Sequence, residues 1–189
     1  AVSVYELDAA LKAGVPTNKI VCNGNAKSDE YLQKCLSTGV LIAVDGLEEL
    51  ANIERIASAV KIKSRVLLRI SHMPLEGLTS ADQSTASAWT KFGFPYDEFQ
   101  GVLSAIKSTQ WIEYNGLSAH IGTQICDLKG YTVLLDHLLK LVEIAGNDGM
   151  QSKYIDIGGG FPVSYTSKAD WEHFQNRLIQ QLNGKLELG

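Results

Sequence analysis

The sequence predicts an α/β fold: a parallel sheet covered by helices, in a single domain. Three observations carry that expectation. Short apolar runs of strand length alternate regularly with segments of helical period. The runs are too apolar to leave one face in water, which is the pattern of strands buried on both sides. Each run also ends in polar or glycine residues, as expected where parallel strands open into a site at their C-terminal ends.

The elements follow in order along the chain. Leu7, Ala10 and Leu11 form a first helical stripe that Gly14 ends, and residues 20–22 are the first apolar run. Ser28 is placed as an N-cap, with Asp29 and Glu30 in the first turn and Gly39 at the stop. Residues 41–44 form the next strand, and Leu47, Leu50, Ile53 and Ala57 the next helix face. Residues 66–70 are a third strand. Residues 71–90 are rich in Ser, Thr and Ala without a clear period, and loops of that length are usually functional. Phe99, Val102, Leu103 and Ile106 predict a helix, residues 117–121 a strand, and Tyr131 to Val142 the longest stripe, closed by Gly146. A strand over 154–157 and a helix carrying Trp171, Phe174 and Leu178 complete the series. The pattern is compatible with a barrel or with a doubly wound open sheet.

Composition narrows the function classes. With 189 residues, 45% of them hydrophobic and 20% charged, the chain can bury one sizeable core. A formal net charge of -4 with scattered basic residues gives no footprint for nucleic acid. Cys22, Cys35 and Cys126 are widely spaced, form no C-x-x-C pair and suit a reducing compartment. No apolar run approaches the ~20 residues that span a bilayer, and the N-terminus lacks a signal pattern. A soluble, cytoplasmic protein without membrane or nucleic-acid partners is expected, and no metal-ligand set stands out.

The stretch YIDIGGGFP, residues 154–162, sets three glycines directly after a buried run. Successive backbone N–H groups with no Cβ in the way can form a concavity that binds phosphate. A dinucleotide fingerprint would need G-x-G-x-x-G opening a helix, whereas Phe161-Pro162 follows here. A tight turn that needs positive φ and binds nothing is the alternative reading of the triplet.

Seven segments occur in the order seen in one family: VSVYEL (2–7), NGNAKSDEYL (23–32), VDGLEEL (44–50), LLRI (67–70), KFGF (91–94), LSAHIGTQ (117–124) and DIGGGFP (156–162). The chain resembles the barrel of the fold-type III pyridoxal-phosphate-dependent amino-acid decarboxylases, the group of diaminopimelate, ornithine and arginine decarboxylases. The resemblance implies a partial (β/α)8 TIM-like barrel over residues 1–189, lacking the first and last strands, with the C-terminal β-domain absent. It implies pyridoxal 5'-phosphate as cofactor, with Gly158, Gly159 and Gly160 giving backbone donors to the phosphate. By the same resemblance His120 stacks on the cofactor ring, Thr123 offers a hydroxyl near the phosphate, and Arg69 stands beside the cofactor. Lys91 would order a loop or an interface, and Asp156 would hold polar partners behind the site. His72, His137 and His173 are expected to be structural.

Other family features find no match. The lysine that holds the cofactor covalently in similar enzymes lies in a segment upstream of VSVYEL, so no catalytic residue is assigned in this chain. Lys27 aligns with a different family lysine. A glutamate for the ring nitrogen belongs to a later Glu-Pro-Gly-Arg-like segment that nothing after Phe161 resembles. This chain alone is therefore expected to be inactive, and the full-length protein to form a homodimer. By the same resemblance GNAKS and HIGTQ lean toward the diaminopimelate decarboxylases rather than the eukaryotic ornithine enzymes, and the expected reaction is decarboxylation of diaminopimelate or a basic-amino-acid-like substrate. Two rivals are a catalytically silent homologue that acts by binding protein, and an unrelated phosphate-binding barrel enzyme; the second would need an acid and base at the strand ends, and Arg69 with His120 do not make that pair.

Overall fold

The computed structural model describes residues 1–73, 91–125, 128–162 and 168–186. Strands β1 (Val21–Cys22), β2 (Leu41–Val44), β3 (Ser64–Ser71), β4 (Phe94–Pro95), β5 (Ile112–Ala119) and β6 (Tyr154–Asp156) form one sheet. Its path runs β1-β2-β3-β5-β6, with β4 pairing onto the end of β3, and every pairing is parallel. Helices α1 (Val4–Lys12), α2 (Asp29–Thr38), α3 (Leu47–Val60), α4 (Phe99–Lys107), α5 (Leu128–Asn147) and α6 (Lys168–Leu186) alternate with the strands. This is the arc of a TIM-like barrel. Among the described residues no helix is long and apolar enough to cross a membrane.

Local chemistry accounts for the helix ends. The Ser3 hydroxyl accepts the Glu6 N–H at the start of α1, and the Glu6 carboxylate reaches back to the Val2 N–H. At α2 the Ser28 hydroxyl accepts the Tyr31 N–H, and Gly39 closes the helix at φ +70 with its N–H on Cys35 and Leu36 carbonyls. The central strands are the most buried: all four residues of β2 and Val66 to Ser71 of β3 are buried, whereas in β6 Tyr154 is exposed and Ile155 and Asp156 are half-buried. One face packs under α2, α3, α4 and α5 through residues such as Leu32, Ile53, Leu103 and Leu134, and the other faces the barrel interior.

The fourth predicted strand, 117–121, begins five residues earlier and ends two earlier, at Ile112–Ala119. Glu113, Asn115 and Gly116 interrupt the apolar run in sequence, but the ladder to β3 from Ser64 to Ile70 holds them extended. A bulge between Val66 and Leu67 shifts that register, so Asn115 is the residue left over. Asn115 is fully buried, and its amide donates to the Glu113 carbonyl. Helix α5 passes through Gly146 to Asn147, and its reversal comes at Gly149, φ +79, where the Met150 N–H returns to the Ala145 carbonyl. The two-residue β4 lies within a stretch that showed only the KFGF motif. Residues 74–90 of the long loop and Cys126 fall outside the described residues.

Gly116 adopts φ +143, and a Cβ there would stand 1.9 Å from the Tyr154 carbonyl oxygen on β6. Gly116→Ala is expected to lower stability by about 1–3 kcal/mol through this clash. Gly101, exposed inside α4 with nothing near its Cβ position, is the control. Gly101→Ala should raise stability by about 0.8–1.0 kcal/mol through helix propensity alone. Urea unfolding of both variants checks the pair, and equal shifts would contradict the assigned packing.

Candidate functional site

The strand ends converge on a cavity of about 380 Å³, within the usual size of a small-molecule site. β3 contributes Arg69, β5 contributes Ser118 and Ala119 with His120 just past its end, and β6 contributes Asp156 and the turn at Gly158 and Gly159. Val2, Asn23, Gly24 and Phe92 close the rest of the wall. Parallel pairing in register is what assembles these groups: Arg69 lies opposite Ser118, and Ser118 opposite Asp156.

The glycine turn is held from three sides. The Asp156 carboxylate accepts the Gly158 N–H at 2.8 Å and the Ser118 hydroxyl at 3.3 Å. The Gly159 N–H donates to His120 Nδ1 at 3.2 Å. Buried Tyr131 on α5 donates its hydroxyl to the Gly159 carbonyl at 3.1 Å, and its ring stacks on Phe161. Because a trans peptide sets N–H opposite C=O, that bond directs the Gly160 N–H away from α5. Gly158 and Gly160 adopt φ +74 and +83. A Cβ on Gly158 would meet the Ala119 carbonyl oxygen at 2.4 Å, and one on Gly160 the Gly122 carbonyl oxygen at 1.8 Å. Both positions therefore demand glycine for close backbone approach as well as for conformation.

His120 is a neutral ring in this setting. Burial pushes its pKa down and the nearby Arg69 charge adds to that, against the opposing pull of Asp156. Accepting from Gly159 at Nδ1 assigns the ring proton to Nε2. Arg69 is nearly buried, pairs with Asp45 at 3.3 Å and lies with its guanidinium carbon 4.6 Å from the Phe92 ring centre. Asp45 is pushed up by burial, against the lowering effects of Arg69, Lys27 and the Gly93 N–H.

Of the residues selected from sequence, His120, Arg69, Gly158 and Gly159 line the cavity together. Gly160 is outside the lining, packed against Gly122, and Thr123 is exposed on the adjoining loop. Lys27 is buried elsewhere. Its ammonium donates to the Gly24 and Ala43 carbonyls at 2.5 and 2.6 Å and to Glu49 at 2.9 Å. Tyr131 entered the sequence reading only as part of a helix stripe. The signal available for it was a buried phenol, which needs a partner for its hydroxyl.

Arg69, the His120 ring and the Gly158–Gly159 turn stand together at the strand ends, with the Gly158 and Gly159 N–H groups held by Asp156 and His120. The residues fit a phosphorylated aromatic cofactor: Gly159 faces open space where a Cβ would meet only the His120 ring at 4.0 Å. The model of the pyridoxal-dependent decarboxylases, pyridoxal binding domain, matches residues 1–188, and the chain belongs to this family. It is 30% identical over 190 residues to the diaminopimelate decarboxylase of Haemophilus influenzae, covering 99% of this chain and 46% of the relative. It is 34% identical over 173 residues to that of Bacillus methanolicus, covering 89% and 40%. The crystal structure of diaminopimelate decarboxylase from Helicobacter pylori complexed with L-lysine superposes with a TM-score of 0.83 at 28% identity, covering 97% of this chain and 47% of that one. The chain thus spans about half the length of the curated relatives it matches.

Two outcomes test this geometry. His120 has its folded pKa below the ordinary 6.5, so the unfolded state binds more protons and stability rises with pH in that range. Stability is therefore expected to fall as pH drops from about 6.5 toward the lowered value, and His120→Gln to flatten that slope in urea midpoints taken across it. Gly160→Ala is expected to destabilise by about 1–3 kcal/mol through its clash with Gly122, while Gly159→Ala does so by less, as unfolding curves would show.

Proposed function

We propose that residues 1–189 act as one cofactor-holding unit of a pyridoxal-phosphate-dependent amino-acid decarboxylase, with diaminopimelate as the amino acid. The observation that carries it is the joint placement of Arg69, His120, Gly158 and Gly159 around one cavity at the strand ends. The names of the relatives support the substrate. Bound pyridoxal phosphate supplies a protonated ring that accepts the electron pair left by departing carbon dioxide.

In this reading the chain binds and orients. His120, neutral and locked by Gly159, offers its ring face to the cofactor ring. Gly160, Gly159 and Gly158 provide the backbone donors for the phosphate, with Thr123 at the edge of that cup. An anion there competes with Asp156 and His120 for the Gly158 and Gly159 N–H groups, and Arg69 supplies the balancing charge. Lys27 takes no part, because its ammonium is committed to two carbonyls and Glu49. By the family resemblance we place the covalent anchor in a segment upstream of VSVYEL. The intact protein works as a homodimer, as the family resemblance implies.

The test is an absorbance titration of the chain with pyridoxal phosphate, repeated for Arg69→Ala and His120→Ala. Each substitution is expected to weaken binding about tenfold or more, and Arg69→Ala, which takes the guanidinium from buried Asp45, also lowers the unfolding midpoint. Borohydride reduction and peptide mapping should leave Lys27 unlabelled. No saturable binding, or stoichiometric labelling of Lys27, would overturn the assignment.

A further inference from the structure

Asp45 lies just beyond β2 and does not line the cavity, yet two elements of the cavity wall are tied to it. One carboxylate oxygen, Oδ1, accepts the Gly93 N–H at 3.0 Å and faces Arg69 Nη1 at 3.3 Å. Arg69 and Phe92 are both in the lining, and the ring lies over the guanidinium. Gly93 permits this approach: it adopts φ +72, and a Cβ there would stand 2.6 Å from the Arg69 carbonyl oxygen. One acceptor atom therefore sets both the cation and the backbone next to the ring that covers it.

The far side of Asp45 is fixed as well. Its N–H donates to Glu49 Oε2 at 2.8 Å, and Glu49 binds Lys27, whose ammonium stands 4.0 Å from Asp45 Oδ2. Oδ2 is buried and has no hydrogen-bond partner among the described residues. The Asp45 side chain is 7% exposed, so its charge is balanced by Arg69 on one side and Lys27 on the other. Glu49 already holds Lys27 at hydrogen-bonding distance, which leaves Asp45 as the carboxylate for Arg69.

We propose that Asp45 is a positioning residue: through one carboxylate oxygen it holds Arg69 and the Phe92-Gly93 turn in register, and so sets where the cation and the aromatic wall stand toward the cofactor. This inference rests on the cofactor reading above for its ligand, and on the Gly93 hydrogen bond, the Arg69 ion pair and the Phe92 ring contact for its geometry. Neutralising Asp45 frees the guanidinium to turn away from Phe92, while an amide oxygen still serves the Gly93 N–H.

The test uses the intact protein and Asp45→Asn, Asp45→Glu, Arg69→Met and Asp45→Asn/Arg69→Met. Asp45→Asn should weaken pyridoxal phosphate binding about tenfold and shift the absorption maximum of the bound cofactor, since the charge beside it is no longer held. Asp45→Glu, which keeps the charge, should restore most of that affinity. The double variant should bind as Arg69→Met does, because Asp45 acts through Arg69. Independent tenfold losses that multiply would overturn the inference. A crystal structure of Asp45→Asn should show the Arg69 guanidinium displaced from Phe92, and an unmoved guanidinium would overturn it too. If the unsubstituted protein takes up no pyridoxal phosphate, the cofactor reading fails, and the guanidinium position alone decides for or against the role of Asp45.

Discussion

The site depends on the close approach of two backbones at the ends of β5 and β6. The loop from His120 to Ile125 and the turn from Gly158 to Gly160 meet without side chains between them, and the Ile125 N–H donates to the Gly160 carbonyl across the contact. Glycine at 122, 158 and 160, all at positive φ, is what allows that distance. Once the two segments are in contact, the Gly159 N–H reaches His120, which fixes the tautomer and the plane of the imidazole. A side chain on either surface would separate the segments and release the histidine.

Charge is handled by a second device. Four ionisable groups, Lys27 in the loop before α2, Asp45 just past β2, Glu49 in the first turn of α3 and Arg69 on β3, lie together largely away from water. Isolated burial of any one of them would cost several kcal/mol, and each is offset by opposite charge or by carbonyls. The arrangement is graded: Lys27 is sealed behind β2, Asp45 lies between, and only Arg69 reaches the cavity. Together with His120, whose Nδ1 accepts the Gly159 N–H, this gives a cavity wall that carries one cation, Arg69, and one carboxylate, Asp156, among its described residues.

The two devices meet at β3, β5 and β6, whose parallel register sets Arg69, Ser118 and Asp156 side by side. The sheet therefore does more than support the site. It aligns a cation, a hydroxyl and a carboxylate across three strands, and Asp156 in turn grips the glycine turn that follows it. The bulge at Asn115 belongs to this alignment, because it resets the β3–β5 register between the lower part of the strands and the part that carries the site.

Much of this was legible in the sequence. Local signals suffice where the physics is local: Ser28 and Gly39 bound α2, the apolar stripes mark the buried helix faces, and the glycine triplet marks a turn where backbone is approached closely. The family motifs marked Arg69, His120 and Gly158 to Gly160 as residues of one site. Pairwise geometry was not legible, because it depends on which strands lie side by side and in what register. Register decided that β5 reaches back to Ile112 through polar residues, and the packing of α5 and of the loop before α2 against the sheet decided that Tyr131 supports Gly159 and that Lys27 is held away while Arg69 enters the cavity wall. Sequence determined the elements and the residue types at their ends, since propensity, capping and periodicity act within a few residues. Only the tertiary structure decided which of those residues face one another, since hydrogen bonds and ion pairs between strands are made across chain separations that no local pattern encodes.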